Sequence, residues 1–443
     1  MDRTLPPDGP LTRDDPKVDP EVLVIGGGIV GLFCAYHLRR RGLSVTVVER
    51  GAIGGPESCS YGNTGFVGTQ GAVPLAEPGV LGQGLRWLLN PESPFHVRPR
   101  WDPELFSWLW HFRRACDERA AMAGFRVLVD LKRRSLDLLR ELAGSGRLAA
   151  SLIAPGMVLA FKTPHGFDKA KRFVPQAVAA GVPLRLLGSE ELRELEPDVD
   201  FDIHGALYNE DGAGLRLPDF MIEFGRLLRG MGVEIREHTE VRDLRTGSGR
   251  ITRVSTAGGD FKPGEVVLAA GAWSARWARA LGIALKLQPA KGYSVTVKTP
   301  REAPRRLLLL SEGKVAVMPL GDRLRFAGTL ELAGMDATVS QRRVTGIIRT
   351  VHAYLPSLEP TPSVEVWTGF RPCTPDGLPF IGRAERYSNL AVACGHGHIG
   401  MGLAPAGGEL MAQIITGERP DIDITPLRID RYGVRQRLLP RRG

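Results

Sequence analysis

The stretch VLVIGGGIVGLFCAYHLRRRGLSVTVVER, Val22 to Arg50, leaves its part of the chain little structural choice. VLVI is a short, β-branched run that suits a strand buried on both faces. IVGLFCAYHLRRRG sets Ile29, Phe33 and Leu38 near helical spacing and ends on Gly42, a helix stop. SVTVVE is a second strand. Between strand and helix, Gly26, Gly28 and Gly31 match G-x-G-x-x-G. The first glycine permits a tight turn, the second lets backbone approach a pyrophosphate, and the third lets helix and strand pack closely. The helix start offers unpaired N–H groups and partial positive charge to phosphates. Glu49 ends the second strand, where a carboxylate accepts from ribose hydroxyls. It also disfavours a 2′-phosphate, although Arg50 weakens that exclusion. A Rossmann-type dinucleotide-binding unit is expected, with either a nicotinamide or a flavin at its redox end.

A chain of 443 residues is long for one core, which predicts at least two domains. With 43% hydrophobic and 24% charged residues it fits a soluble globular class, and no run of 18 apolar residues suggests a membrane span. MDRTLPPDGPLTRDDPKVDP lacks the apolar core of a secretory signal and reads as a disordered tail over 1–20. The five cysteines are scattered and form no CxxC, which argues for free thiols in a reducing cytoplasm. Part of the +9 formal charge sits in a basic tail over 428–443. That charge is either a solvated arginine excess or an attraction to an anionic membrane surface or acidic partner. A cytoplasmic location follows, free or peripheral at the inner face of the membrane. Nucleic acid is not expected as a partner, because the basic residues are not interleaved with aromatics in a recognisable module.

Prolines alternate with tryptophans over 72–116, as a loop-and-helix excursion would. That segment covers the active site, touches a membrane, or simply packs. Helices are expected over 121–148 and 220–231, a β-meander over 232–273, and several strands over 283–334. The expected class is mixed α/β. A Rossmann-type domain would be built from 20–66, 165–278 and 365–427. A substrate domain on a mixed or antiparallel sheet would be built from 67–164 and 279–364.

Three later stretches favour a flavin. VVLAAGAWS (266–274) runs from strand into a small-residue turn, GFRPCTPDGLPFIG (369–382) reads as a Gly/Pro-shaped loop, and GHGHIGMGLAPAGGE (395–409) is a second glycine turn before a helix. A reduced flavin is anionic at its N1–O2 edge, and a glycine turn at a helix N-terminus supplies close approach and positive charge together. These stretches join SCSYGNTGF (58–66), LRWLLNPESPFHVRPRWDPELFSWLW (85–110) and PAKGYSVT (289–296). With them, the chain resembles the FAD-dependent D-amino-acid oxidase superfamily, which also holds glycine and sarcosine oxidases. Within it the resemblance is greatest to the bacterial D-amino acid dehydrogenases. The motifs occur in family order over most of the chain.

The resemblance implies a two-domain flavoprotein that passes a hydride from an amine Cα to flavin N5, giving an imine that water hydrolyses to a 2-oxo acid and ammonia. The substrate would be a D-amino acid or a cyclic relative such as D-proline or hydroxyproline, and a quinone or other acceptor would take the electrons. FAD contacts are implied for Gly26, Gly28, Ile29, Val30, Gly31, Glu49 and Arg50. They are implied also for Ser60, Asn63, Thr64, Gly65, the backbone of Val241, and Ala270, Gly271 and Trp273. The last group is Gly369, Arg371, His396, Gly397, His398, Ile399, Gly400 and Met401.

The candidate catalytic residues are Arg371, Tyr293 and His398. In D-amino-acid oxidases the arginine of a similar G-x-R-P stretch clamps the substrate carboxylate, and a guanidinium fork suits two oxygens. The alternative for Arg371 is a structural ion pair. Tyr293 lines the substrate pocket or packs. Lys291 faces flavin or solvent. One of His396 and His398 bonds flavin or substrate, or both are satisfied loop histidines. A metal is not expected, for want of clustered ligands. The cysteine that tethers FAD in sarcosine oxidases falls at Gly369 here, so non-covalent FAD is expected. His398 stands where relatives often carry a small residue. No nucleophile–base pair is visible, which fits a neutral amine that gives up its hydride through positioning. Two alternatives stand: an oxygen-using oxidase of glycine or sarcosine type, and a non-catalytic FAD-holding subunit of a heteromeric dehydrogenase. A nicotinamide enzyme leaves the second glycine turn unexplained.

Overall fold

The computed structural model describes residues 19–432, except 70, 73–74, 77–78, 81, 83–92, 147, 149–150 and 359–361. The expected N-terminal tail, apart from Asp19 and Pro20, and residues 433–443 of the basic tail lie outside the described residues.

The first sheet has strand β1 (Val22–Ile25) near its centre, parallel to β2 (Val45–Val48) on one side and to Glu265–Leu268 on the other. Beyond these lie Glu234–Arg236 at one edge, and Leu390–Cys394 then Phe380–Arg383 at the other. Only the last pair is antiparallel. Every residue of β1 and β2 is buried, because both faces are covered. On one face helix α1 (Ile29–Arg40) packs with helices Glu118–Gly144 and Gly400–Thr416, so that Leu32, Phe33, Leu128, Leu131 and Leu403 share one core. Each such side chain contributes roughly 1.5–3 kcal/mol by leaving water. The opposite face receives Ile251, Val254 and Phe261 from the antiparallel meander Val241–Phe261.

The second sheet has nine strands, from Ser363–Cys373 at one edge through Gln288–Lys298, Arg323–Leu332, Val315–Pro319, Leu307–Leu310 and Met157–Phe161 to Gly205–Asn209 and Leu184–Leu187. Phe95–Val97 adds to Arg323–Leu332. Helix Gln341–Tyr354 covers one face, burying Tyr293, Val295, Phe326, Ile347 and Val351 together. From this sheet Arg325 donates to the carbonyls of Tyr61 and Asn63, at 2.9 and 3.1 Å, and so ties it to the stretch whose Ser60 bonds the start of α1.

The mixed α/β class holds, but several assignments change. Strands Leu184–Leu187 and Gly205–Asn209, expected in the cofactor domain, complete the second sheet. Helix Glu118–Gly144, expected in the substrate domain, packs into the cofactor-domain core. Its apolar stripe fixes a buried face but not the partner of that face. GFRPC is not a loop but the end of strand Ser363–Cys373. An edge strand tolerates Pro372, which faces Pro289 and takes no ladder donor away. Residues 428–432 of the expected tail are folded, with Arg431 bonded to Asp376 at 2.8 Å and lying 4.1 Å from the Phe380 ring centroid.

Candidate active site

The phosphate turn divides its three glycines by task. A Cβ on Gly26, whose φ is +112°, would stand 2.5 Å from the Ala269 carbonyl oxygen. A Cβ on Gly31 would stand 1.9 Å from the Gly26 carbonyl oxygen. On Gly28 it would meet nothing nearer than the Ser60 hydroxyl at 3.6 Å, so this position is an open floor. Glu49 braces the turn by accepting from the Gly27 N–H at 2.7 Å and the Gly51 N–H at 3.1 Å. Ser60 Oγ accepts from the N–H of Ile29, a donor that the first turn of α1 leaves unmatched.

A cleft of about 1170 Å³, open solvent included, runs from this turn to the second glycine turn. Of the expected residues it is lined by Gly26, Gly28, Ile29, Val30, Glu49, Arg50, Ser60, Asn63, Val241, Ala270, Gly271, Trp273, His396, Gly397, Gly400 and Met401. Arg50 stacks 3.8 Å from the Trp273 ring centroid, a cation–π contact in the wall. Sequence reasoning missed Ser58, Cys59, Thr239, Glu240, Trp277, Pro372 and Cys394. Ser58 and Cys59 stand in the quoted SCSYGNTGF, and Thr239 and Glu240 directly precede Val241. For Trp277 and Cys394 we find no signal in the sequence. Burial pushes the Cys59 thiol up to about 11 and the Cys394 thiol up to about 12.

Other expected residues stand elsewhere. Gly31 serves packing behind the turn, and Thr64 is buried. Gly65, at φ +78°, presses on Leu215. Gly369 lies under the Trp367 ring. His398 and Ile399 border a small adjoining pocket of about 270 Å³, with Leu75, Leu128 and Cys373. Tyr293 does not line the cleft: it is 1% exposed, packs toward helix Gln341–Tyr354 and donates to Glu331 at 2.7 Å. Strand alternation turns it away from the cofactor domain. Lys291 lines neither the cleft nor the surface, being buried and 3.4 Å from the same Glu331. His396 is 2% exposed and neither ring nitrogen has a partner among the described residues, so burial alone pushes it down to about 3. His398 falls to about 3 as well, from burial and then the charges of Arg371, Lys132 and Lys314. Both imidazoles are therefore neutral at neutral pH.

Arg371 sits beside the cleft wall rather than on it, between Phe370, which contacts Trp273, and Pro372, which lines the cleft. Two residues, Thr329 and Leu330, oppose the single Gly292 at an irregularity of the Gln288–Lys298 and Arg323–Leu332 pair. Thr329 has φ +63°, a strained conformation for a β-branched residue. The guanidinium donates to the Thr329 carbonyl and, at 3.5 Å, to the Gly328 carbonyl. It occupies the space a side chain at Gly292 would take. These bonds engage two of its five N–H groups, and no carboxylate pairs with it among the described residues. Burial pulls its pKa down from the ordinary value. The structural ion pair considered for Arg371 is thus not formed among those residues.

A family described as "DAO: FAD dependent oxidoreductase" matches residues 21–414. The chain belongs to this family. The D-amino acid dehydrogenase of Methylobacterium radiotolerans is 34% identical over 93% of this chain and 99% of its own length. That of Bradyrhizobium diazoefficiens is 30% identical over 94% and 99%. Among solved structures, glycine oxidase from Geobacillus kaustophilus has a TM-score of 0.74 at 25% identity, covering 93% of this chain and 98% of that one. L-proline dehydrogenase from P. horikoshii shares the fold at TM-score 0.71 and 22% identity, over 94% and 98%. FAD is the cofactor of this oxidoreductase, and the residues present fit it. Gly28 leaves room for backbone approach, Glu49 stands at the strand end that would meet a ribose, and His396, without a partner among the described residues, borders the far end of the cleft. No helix among the described residues is long and apolar enough to cross a membrane.

Proposed function

We propose that this FAD-dependent oxidoreductase oxidises D-amino acids, cyclic ones such as D-proline included, to the corresponding imines, which water converts to 2-oxo acids where the amine is primary. Bound FAD supplies the two-electron acceptor. The observation that carries the reading is Arg371, a half-buried cation beside the cleft with N–H groups to spare and no carboxylate among the described residues. A substrate carboxylate leaving water needs such a partner. The carbonyls of Thr329 and Gly328 fix the fork from behind, so the amino acid is held at one end while its Cα is presented to the cleft. His396 and His398 are neutral and withhold positive charge from the amine. The relatives named D-amino acid dehydrogenase support the D configuration and an acceptor other than oxygen.

The test is anaerobic mixing of the yellow protein with a panel of D- and L-amino acids. D-amino acids should bleach the flavin band, and a dye or quinone should restore it faster than oxygen does. Bleaching by L-amino acids alone overturns the stereochemistry. Peroxide formed at the dye-linked rate favours an oxidase.

We also propose that FAD is held without a covalent bond. Cys59 and Cys394 border the cleft as protonated thiols, which are poor nucleophiles, and position 369 is glycine. Acid should release all the flavin into the supernatant. Yellow colour retained by the precipitated chain rules this out.

A further inference from the structure

Helix Glu118–Gly144 packs against helix Gly400–Thr416, whose first residues, Gly400 and Met401, line the cleft. At the next position a Cβ on Gly402 would stand 3.4 Å from Lys132 Nζ. Lys132 is 1% exposed and donates to the Gly68 carbonyl at 2.8 Å. A buried ammonium is thus set directly behind the cleft wall, at the positive end of a helix of 17 residues. Burial pulls it down to about 7, with Asp211 acting the other way. Its field reaches the second glycine turn, where it helps to drive His398 neutral. A cation and a positive helix end both favour negative charge across the turn. FAD bound in the cleft would become negative there on reduction.

We propose that Lys132 is a positioning residue for charge: from behind the first turn of helix Gly400–Thr416 it favours the reduced, anionic state of FAD in the cleft over the oxidised state. Nothing in the motifs marks it, because it comes from a helix distant in sequence from both glycine turns. The inference rests on FAD occupying the cleft and is independent of which amino acid is oxidised.

The experiment measures the midpoint potential of bound FAD in holoprotein by equilibration with reference dyes at about pH 6, below the value of about 7 to which burial lowers Lys132, so that it carries its charge. Wild type is compared with Lys132→Met, Lys132→Gln and Lys132→Arg. Each neutral variant should weaken the preference for the reduced state about tenfold, a fall of ~30 mV for a two-electron couple. Lys132→Arg, which keeps the charge, should stay near wild type. An unchanged potential in either neutral variant overturns the proposal. If neither neutral variant holds FAD, the lysine is structural and the proposal is overturned as well. No substrate enters the measurement, so its failure and the failure of the D-amino acid assignment are told apart.

Discussion

Arg371→Ala is expected to lower kcat/KM for amino acids by about 30- to several thousand-fold, since truncating one partner of a buried, hydrogen-bonded charge pair costs about 2–5 kcal/mol. FAD content should stay unchanged. Tm should fall slightly, because the Thr329 and Gly328 carbonyls lose a donor. Arg371→Lys should recover only part of the activity, as one ammonium lacks the two-point contact that fixes which Cα hydrogen faces the flavin. Gly292→Ala offers a route to the same loss with the arginine still present, since its Cβ would stand 2.2 Å from a guanidinium nitrogen. An amine without a carboxylate is the control, and neither substitution should affect it much. Equal damage to both substrate types, with loss of FAD, would make Arg371 structural.

Glu49→Ala should weaken FAD binding about ten- to 150-fold, the roughly 1.5–3 kcal/mol of a hydrogen bond to a charged group. The fold should survive, because β2 remains buried on both faces. The apo turn should loosen too, since Gly27 and Gly51 lose the carboxylate that accepts their N–H groups. Glu49→Gln keeps one acceptor oxygen and should restore part of the affinity. The readout is FAD retained after dialysis and the fluorescence of what is released. Unchanged retention would remove Glu49 from the site.

The cofactor half of the site was largely legible in the sequence because backbone geometry dictates it. A close approach needs glycine at Gly26 and Gly31, and an open floor needs it at Gly28, so the chemistry is written in residue type at fixed spacing. The second glycine turn followed from the same logic. Arg371 was named from its G-x-R-P stretch, but the bulge at Thr329 that seats its guanidinium has no local signal. Tyr293 was misplaced because strand parity puts it on the face away from the cleft. Lys132 and helix Glu118–Gly144 escaped for a related reason: an amphipathic stripe states that a face is buried, not which domain buries it. The proline of GFRP suggested a loop, whereas an edge strand accommodates it at no cost.

The joint between the second sheet and the second glycine turn is made of main chain, with one cysteine side chain beside it. The carbonyl of Pro372 accepts from the N–H of Gly397 at 2.9 Å, and Cys373 and His396 form an antiparallel bridge. Nearby, the N–H of Phe370 donates to Cys59 Sγ while the thiol donates back to the Phe370 carbonyl. Main-chain bonds carry no residue identity. Side chains on the second sheet can therefore change without disturbing its register against the second glycine turn. Drift in sequence on that sheet leaves the alignment of the two sheets in place.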